Sequence, residues 1–171
     1  PSMPEMEIPD KLIPAVVTPK RFKVLIGGRG SAKSTSTADV LLAKAQAEHC
    51  KVGCFREYQN SIEDSVHSLL DSEIARLMMK GYHVGKSFID HSEGGKFRFR
   101  GLARSIQSVK SMDGFKYFWI EESQFLSAES IKIITPTVRE EGSEIWFTGN
   151  PMSSADPFSQ RFIVPYQTEL E

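Results

Sequence analysis

Residues 27–35 read GGRGSAKST. Ahead of them Phe22-Lys-Val-Leu-Ile26 is a short apolar run that halts at glycines, as a buried strand does. Behind them, residues 33 to about 48 carry Ala38, Leu41, Leu42 and Ala45 at helical spacing, uninterrupted by Gly or Pro. Strand, glycine-rich turn and helix make up the arrangement a triphosphate requires, because backbone N–H groups gather at the positive end of a helix dipole. Gly27, Gly28 and Gly30 let the backbone curl without side-chain obstruction. In that geometry Gly28, Arg29, Gly30, Ser31, Ala32, Lys33, Ser34 and Thr35 surround ATP. Lys33 reaches the β- and γ-phosphates, Ser34 holds Mg²⁺ through its hydroxyl, and Thr35 donates to the α-phosphate. The usual signature, G-x-x-x-x-G-K-[ST], has glycine where this chain has Ala32. A helical φ at residue 32 would let alanine sit there at no cost and even favour the helix start. The competing interpretation is a turn of small residues with an exposed lysine.

At 171 residues the chain is sized for one domain around one core. Its 40% hydrophobic and 25% charged residues are ordinary globular values, and no apolar run nears the ~20 residues of a membrane span. The 21 Lys plus Arg nearly cancel the 22 Asp plus Glu, so no global field draws the chain to nucleic acid or to an anionic membrane. Any such contact needs a local patch. Two cysteines, Cys50 and Cys54, make no disulfide framework, and with four scattered histidines no zinc spacing arises. Buried thiols in a reducing cytoplasm are the expectation, and no charged-then-apolar leader opens the sequence.

Prolines at 1, 4, 9, 14 and 19 each remove a donor and fix φ, so residues 1–19 are expected to form a surface arm rather than an ordinary helix or central strand. The domain proper is expected over 20–171. Val52-Gly-Cys-Phe55 reads as a second strand. A helix capped by Asn60 or Ser61 then presents Ile62, Val66, Leu69, Leu70, Ile74, Leu77 and Met78 to the core and ends at Gly81. Residues 87–102 alternate about the Gly94-Gly95 turn like a hairpin with one buried face. Tyr117-Phe-Trp-Ile120 is a continuous apolar strand, Ser127 caps a helix reaching about Ile134, and Glu144-Ile-Trp-Phe-Thr148 is the last strand, stopped by Gly149-Asn150-Pro151. Strands alternating with helices predict an α/β fold with a mainly parallel, buried sheet and right-handed crossovers.

The strand 117–120 runs straight into Glu121-Glu122. Beside a phosphate loop, Glu121 is placed to contact the Mg²⁺ shell through water, and Glu122 to orient a water for in-line attack on the γ-phosphorus. A solvated acidic pair at a strand end is the plainer alternative. Thr148, Gly149 and Asn150, at the end of a buried strand, could sense the γ-phosphate and transmit its state, against the alternative of a simple turn. Arg29 inside the loop could neutralise transition-state charge or pair with a neighbouring subunit; Arg56, ending the second strand, is a weaker candidate for the same work. Arg98, Arg100, Arg104 and Lys110 cluster with Phe97 and Phe99 between them. Alternation sets Arg98 and Arg100 on one strand face, where they either meet nucleic acid phosphates or form an ordinary solvated surface.

Taken together, Gly27-Gly-Arg-Gly-Ser-Ala-Lys-Ser34, Tyr117-Phe-Trp-Ile-Glu-Glu-Ser-Gln124 and Thr148-Gly-Asn-Pro151 resemble the N-terminal ATPase domain of the large terminase subunit of tailed bacteriophages. The likeness is strongest to short-tailed, headful-packaging enterobacterial phages and covers residues 20 to about 157. It implies a P-loop NTPase fold of the class with an additional strand and a catalytic glutamate. The implied activity is ATP hydrolysis driving double-stranded DNA into a procapsid. By the same resemblance Lys33, Glu122 and Arg29 are catalytic, with Arg29 a finger or sensor. Ser34 and Glu121 serve the metal, though the family often has aspartate at the latter, and Thr148 to Asn150 form the coupling motif. ATP and Mg²⁺ are the implied cofactors. The implied partners are DNA, a portal protein, a small terminase subunit and further copies in a ring, with the domain monomeric alone and no membrane involved. The implied location is the host cytoplasm at the portal vertex. The family's C-terminal nuclease domain has no counterpart in these residues. A nucleotide-gated binding module without turnover and a P-loop phosphotransferase remain the rival functions.

Overall fold

The computed structural model describes residues 5–28, 32–62 and 66–169. Seven strands form one sheet in the order β1-β7-β6-β2-β5-β4-β3. They are β1 (Phe22–Ile26), β2 (Lys51–Arg56), β3 (Tyr82–Val84), β4 (Phe88–His91), β5 (Lys96–Gly101), β6 (Phe115–Ile120) and β7 (Glu144–Gly149). The five strands from β1 to β5 in that order pair in parallel, while β4 and β3 form an antiparallel margin. Parallel strands need helices on both faces to return the chain, so the central ones are buried on both sides. Thus all six residues of β7 are buried, and Tyr117 to Ile120 of β6 read as one apolar run.

One face packs Trp119 and Trp146 against Leu41, Leu42 and Ala45 of α2 (Lys33–Glu48) and Leu70 of α3 (His67–Arg76). The other packs Phe118, Ile120 and Phe147 against α4 (Leu102–Val109), α5 (Ala128–Thr137) and α6 (Pro157–Phe162). β7 lies between β1 and β6, the additional-strand order that the resemblance implies. The mainly parallel α/β P-loop architecture is therefore the observed one. Ser127 caps α5 as expected, its hydroxyl accepting from the Ser130 N–H, and the hairpin of β4 and β5 forms about the Gly94-Gly95 turn.

Three local expectations fail. The proline-rich opening does contain a helix, α1 (Ile13–Val17), because Pro14 falls in its first turn, where the missing N–H leaves no bond unmade. Ile8, Leu12, Ala15 and Val16 of this segment pack on the core. Second, α3 begins at His67 rather than at Asn60 or Ser61; Glu63, Asp64 and Ser65 lie outside the described residues. Third, α3 ends short of Gly81. Met78 takes a left-handed turn (φ 50°), and the Met79 N–H reaches back to the Ile74 carbonyl, closing the helix. Met78 is consequently 79% exposed instead of joining the core. Strand β3 carries no clear sequence signal, whereas α4 has Leu102, Ile106 and Val109 at helical spacing. No helix among the described residues is long and apolar enough to cross a membrane.

Candidate functional site

The carboxyl ends of β1, β7, β6 and β2 lie along one margin of the sheet, the usual place for ligands in such folds. They deliver Gly27, Gly149, Glu121 and Arg56 respectively. Ile26 pairs with Gly149, and Ile120 pairs with both Phe147 and Phe55, so β1 and β7 extend two residues beyond the end of β6. With ~4.8 Å between neighbouring strands, β1 and β6 stand about 10 Å apart across β7.

From β1 the chain passes Gly27 and Gly28, and it re-enters the described residues at Ala32. Arg29, Gly30 and Ser31 lie outside the described residues. Ala32 has φ 60° and ψ 8°, in the left-handed region, so the condition under which alanine would be costless there is not met. Glycine is the residue that region favours. Lys33 opens α2, and its ammonium donates to the carbonyls of Gly27 (3.0 Å) and Gly28 (3.3 Å). Burial lowers its pKa. Ser34 and Thr35 follow in the first helical turn, both half-buried.

On the other side of β7, the Glu121 N–H donates to Phe55 C=O, and the Arg56 Nε donates to the Glu121 carboxylate at 2.7 Å. Burial pushes the Glu121 carboxyl above its ordinary range, and Arg56 opposes that shift. Glu122 stands 3.8 Å from the same guanidinium, with its side chain 45% exposed and its backbone left-handed (φ 53°). Arg56 thus touches both acids, a closer engagement than its position in the sequence indicates.

The third motif divides. Thr148 is buried, and its hydroxyl accepts from the Trp119 indole N–H at 3.0 Å. Gly149 instead joins the other two motifs. Its carbonyl accepts from the Gly27 N–H at 3.3 Å. A Cβ on it would stand 2.8 Å from Gln124 Oε1 and 3.2 Å from the Ser123 nitrogen. Next to it, the Asn150 N–H donates to Gln124 Oε1 at 3.1 Å. Nothing in the sequence marks Gln124 for this work, since a bond across 26 positions leaves no local pattern.

Beside Gly27 and Gly28 opens a cleft of about 560 Å³ walled by Ile26, Pro151, Met152 and Ile163. A larger groove of about 810 Å³ runs between β1, α5 and α6 and includes none of these loop or acid residues. Among the described residues no cluster of three or more His, Cys, Asp or Glu could hold a metal ion. Ser34 and Glu121 offer the hard oxygen donors that suit Mg²⁺, which typically completes its shell with water and phosphate oxygens.

A strand-to-helix glycine turn facing paired carboxylates, with one strand between, defines a P-loop NTPase fold. The chain belongs to the phage terminase large-subunit family, whose profile matches residues 19–171. No curated protein matches it. Among solved structures, the large terminase of a thermophilic bacteriophage superposes with a TM-score of 0.73 at 14% identity, over 96% of this chain and 44% of that one. The N-terminal domain of the DNA packaging ATPase of bacteriophage phi29 gives 0.70 at 16%, over 91% and 84%. A variant of the large terminase ATPase domain of Thermus phage P74-26 gives 0.68 at 14%, over 92% and 70%. The first of these terminases has also been solved with ADP and with ATP-γ-S. Likeness at these identities is likeness of fold. This chain spans less than half the length of that thermophilic phage's large terminase.

Proposed function

We propose that the chain is the ATP-hydrolysing motor domain of a DNA-packaging terminase, coupling Mg-ATP hydrolysis to movement of double-stranded DNA into a procapsid. The observation that carries this reading is the placement of Gly27 and Glu121-Glu122 at one sheet margin, with β7 bonded to the turns on both sides. Lys33 exchanges the loop carbonyls for phosphate oxygens, and Gly28 to Thr35 wrap the phosphates. The apolar cleft beside Gly27 and Gly28 takes the nucleobase. When bound at Ser34 and Glu121, Mg²⁺ supplies charge neutralisation on the phosphates. Glu122, exposed and held near Arg56, orients the attacking water and accepts its proton. Arg29 stabilises charge on the transferred phosphoryl group, and Thr148, Gly149 and Asn150 relay the phosphate state.

The portal, a small terminase subunit and further copies in a ring are the partners of this reading, and the host cytoplasm at the portal vertex is its place. Kinship to short-tailed enterobacterial phages rests on the three motifs alone. The test pairs phosphate release with binding of a fluorescent ATP analogue, for wild type and Glu122→Gln. Release should fall about 10²–10⁴-fold while nucleotide affinity stays within about threefold. Equal release by both proteins would remove Glu122 from the chemistry. Binding without release by the wild type would leave a nucleotide-gated module.

A further inference from the structure

Beyond α4, the sheet face that carries Phe118 and Ile120 loses its helical cover. On β5, Phe97 and Phe99 turn into the opposite core, leaving Lys96, Arg98 and Arg100 on this uncovered side. The neighbouring strands widen the row, since Lys51 pairs with Lys96 and Phe88 with Arg98. Two adjoining cavities of about 340 and 390 Å³ share Arg98 and Arg100. Together they make one groove running from Lys51 and Phe115 across β5 to Phe88 and Ile62.

The charge in this groove is one-sided. Among the described residues its one carboxylate, Asp90, is engaged by Arg98 at 2.6 Å. Among the described residues, Lys51, Lys96 and Arg100 have no carboxylate within 4 Å. Four cations therefore gather on one face of a chain whose net charge is −1. A protein partner would have to bury two lysines, which interfaces disfavour, and desolvate cations that find no carboxylate here. A polyanion in water makes no such demand. Side chains two apart on a strand are about 6.6 Å apart, so Lys96 to Arg100 span about 13 Å, and duplex DNA offers a phosphate every ~3.4 Å of axis on each strand.

We propose that the groove of Lys51, Lys96, Arg98 and Arg100 is the surface by which this chain grips the phosphate backbone of double-stranded DNA. The proposal rests on the packaging-motor reading in taking DNA as the load. Its test does not involve ATP. Anisotropy of a fluorescent duplex of about 30 base pairs, from about 50 to about 200 mM salt, is compared for wild type, Lys96→Glu with Arg100→Glu, and a control pair, Lys80→Glu with Lys132→Glu. The control residues are exposed and lie outside the groove.

The groove pair should lose at least about tenfold in affinity, and its log–log salt slope should shrink by about two, while the control stays within about twofold. Lys96→Gln with Arg100→Gln, which folds more safely, should show a smaller loss in the same direction. Equal losses in groove and control pairs, an unchanged groove pair, or no binding by the wild type at about 50 mM salt would each overturn the proposal. So would a groove pair that keeps DNA but abolishes association between copies of the chain in sedimentation. Failure of ATP hydrolysis with this DNA result intact would sink the motor reading and leave the groove standing.

Discussion

Ala32 and Glu122 both hold left-handed backbone, one on each side of the margin where the loop and the acids meet. Such a conformation costs a non-glycine residue on the order of 1 kcal/mol and persists where the surroundings impose it. At Ala32 the imposition comes from the turn into α2, whose first bond runs from the Ser36 N–H to the Ala32 carbonyl. Glycine at this position relieves the strain but gives back some entropy in the unfolded chain. Ala32→Gly should therefore stabilise the protein by about 0.5–1 kcal/mol, read as a higher urea midpoint at unchanged slope. A lower midpoint would show that the turn does not strain alanine. Glu122 differs, because its conformation directs an exposed carboxylate out of the turn that follows β6.

Gly149 is where elements rather than residues are coupled. Its carbonyl holds Gly27, and its α-carbon lies against the Ser123–Gln124 backbone, so β7 serves as the spacer between the loop and the acids. A methyl group there meets backbone nitrogen at 3.2 and 3.4 Å as well as Gln124 Oε1, and backbone cannot yield as a side-chain tip can. Gly149→Ala should push the turn bearing Glu122 aside. Phosphate release should drop at least about tenfold with nucleotide affinity changed less than about threefold, since small misplacements cost rate more than binding. Parallel loss of both would point to simple misfolding.

Much of this arrangement is legible in sequence where the signal is local. The apolar runs of β1, β6 and β7, the glycine turn and the Ser127 cap all follow from spacing and residue type. What escapes is long-range or conformational: Gln124 meeting Asn150, Arg56 meeting both acids, the φ of Ala32, and the left-handed stop at Met78. Helix α1 escapes for a different reason, because proline is read as a breaker unless its position within the first turn is known.

At the scale of the whole molecule, stability depends on pH through a buried carboxylate group between α2 and α3. Asp39 is almost fully buried, held by Arg76 at 3.0 Å, while Arg76 also grips Glu73. Burial, with Glu73 close by, pushes the Asp39 carboxyl up to about 7, whereas Arg76 and hydrogen bonding pull Glu73 below its ordinary value. The two act oppositely. Asp39, raised above its unfolded value of 3.8, takes stability away as pH climbs from about 4 through 7, because the unfolded chain ionises freely while the folded one resists. Glu73 contributes stability that is lost only as pH falls below 4.5. Between about pH 5 and 7.5 the Asp39 effect governs, on the order of 2–4 kcal/mol at most. Urea midpoints should fall over that range for the wild type and stay level for Asp39→Asn; a parallel fall in both would assign the slope elsewhere. The strand order carries a last consequence. Because β7 is the last of this sheet's seven strands to be synthesised yet sits between two made earlier, a nascent chain lacking residues 144–149 has its glycine turn and its acids already translated but no ruler to set them apart. The margin where the loop and the acids meet therefore assembles only once β7 is in place.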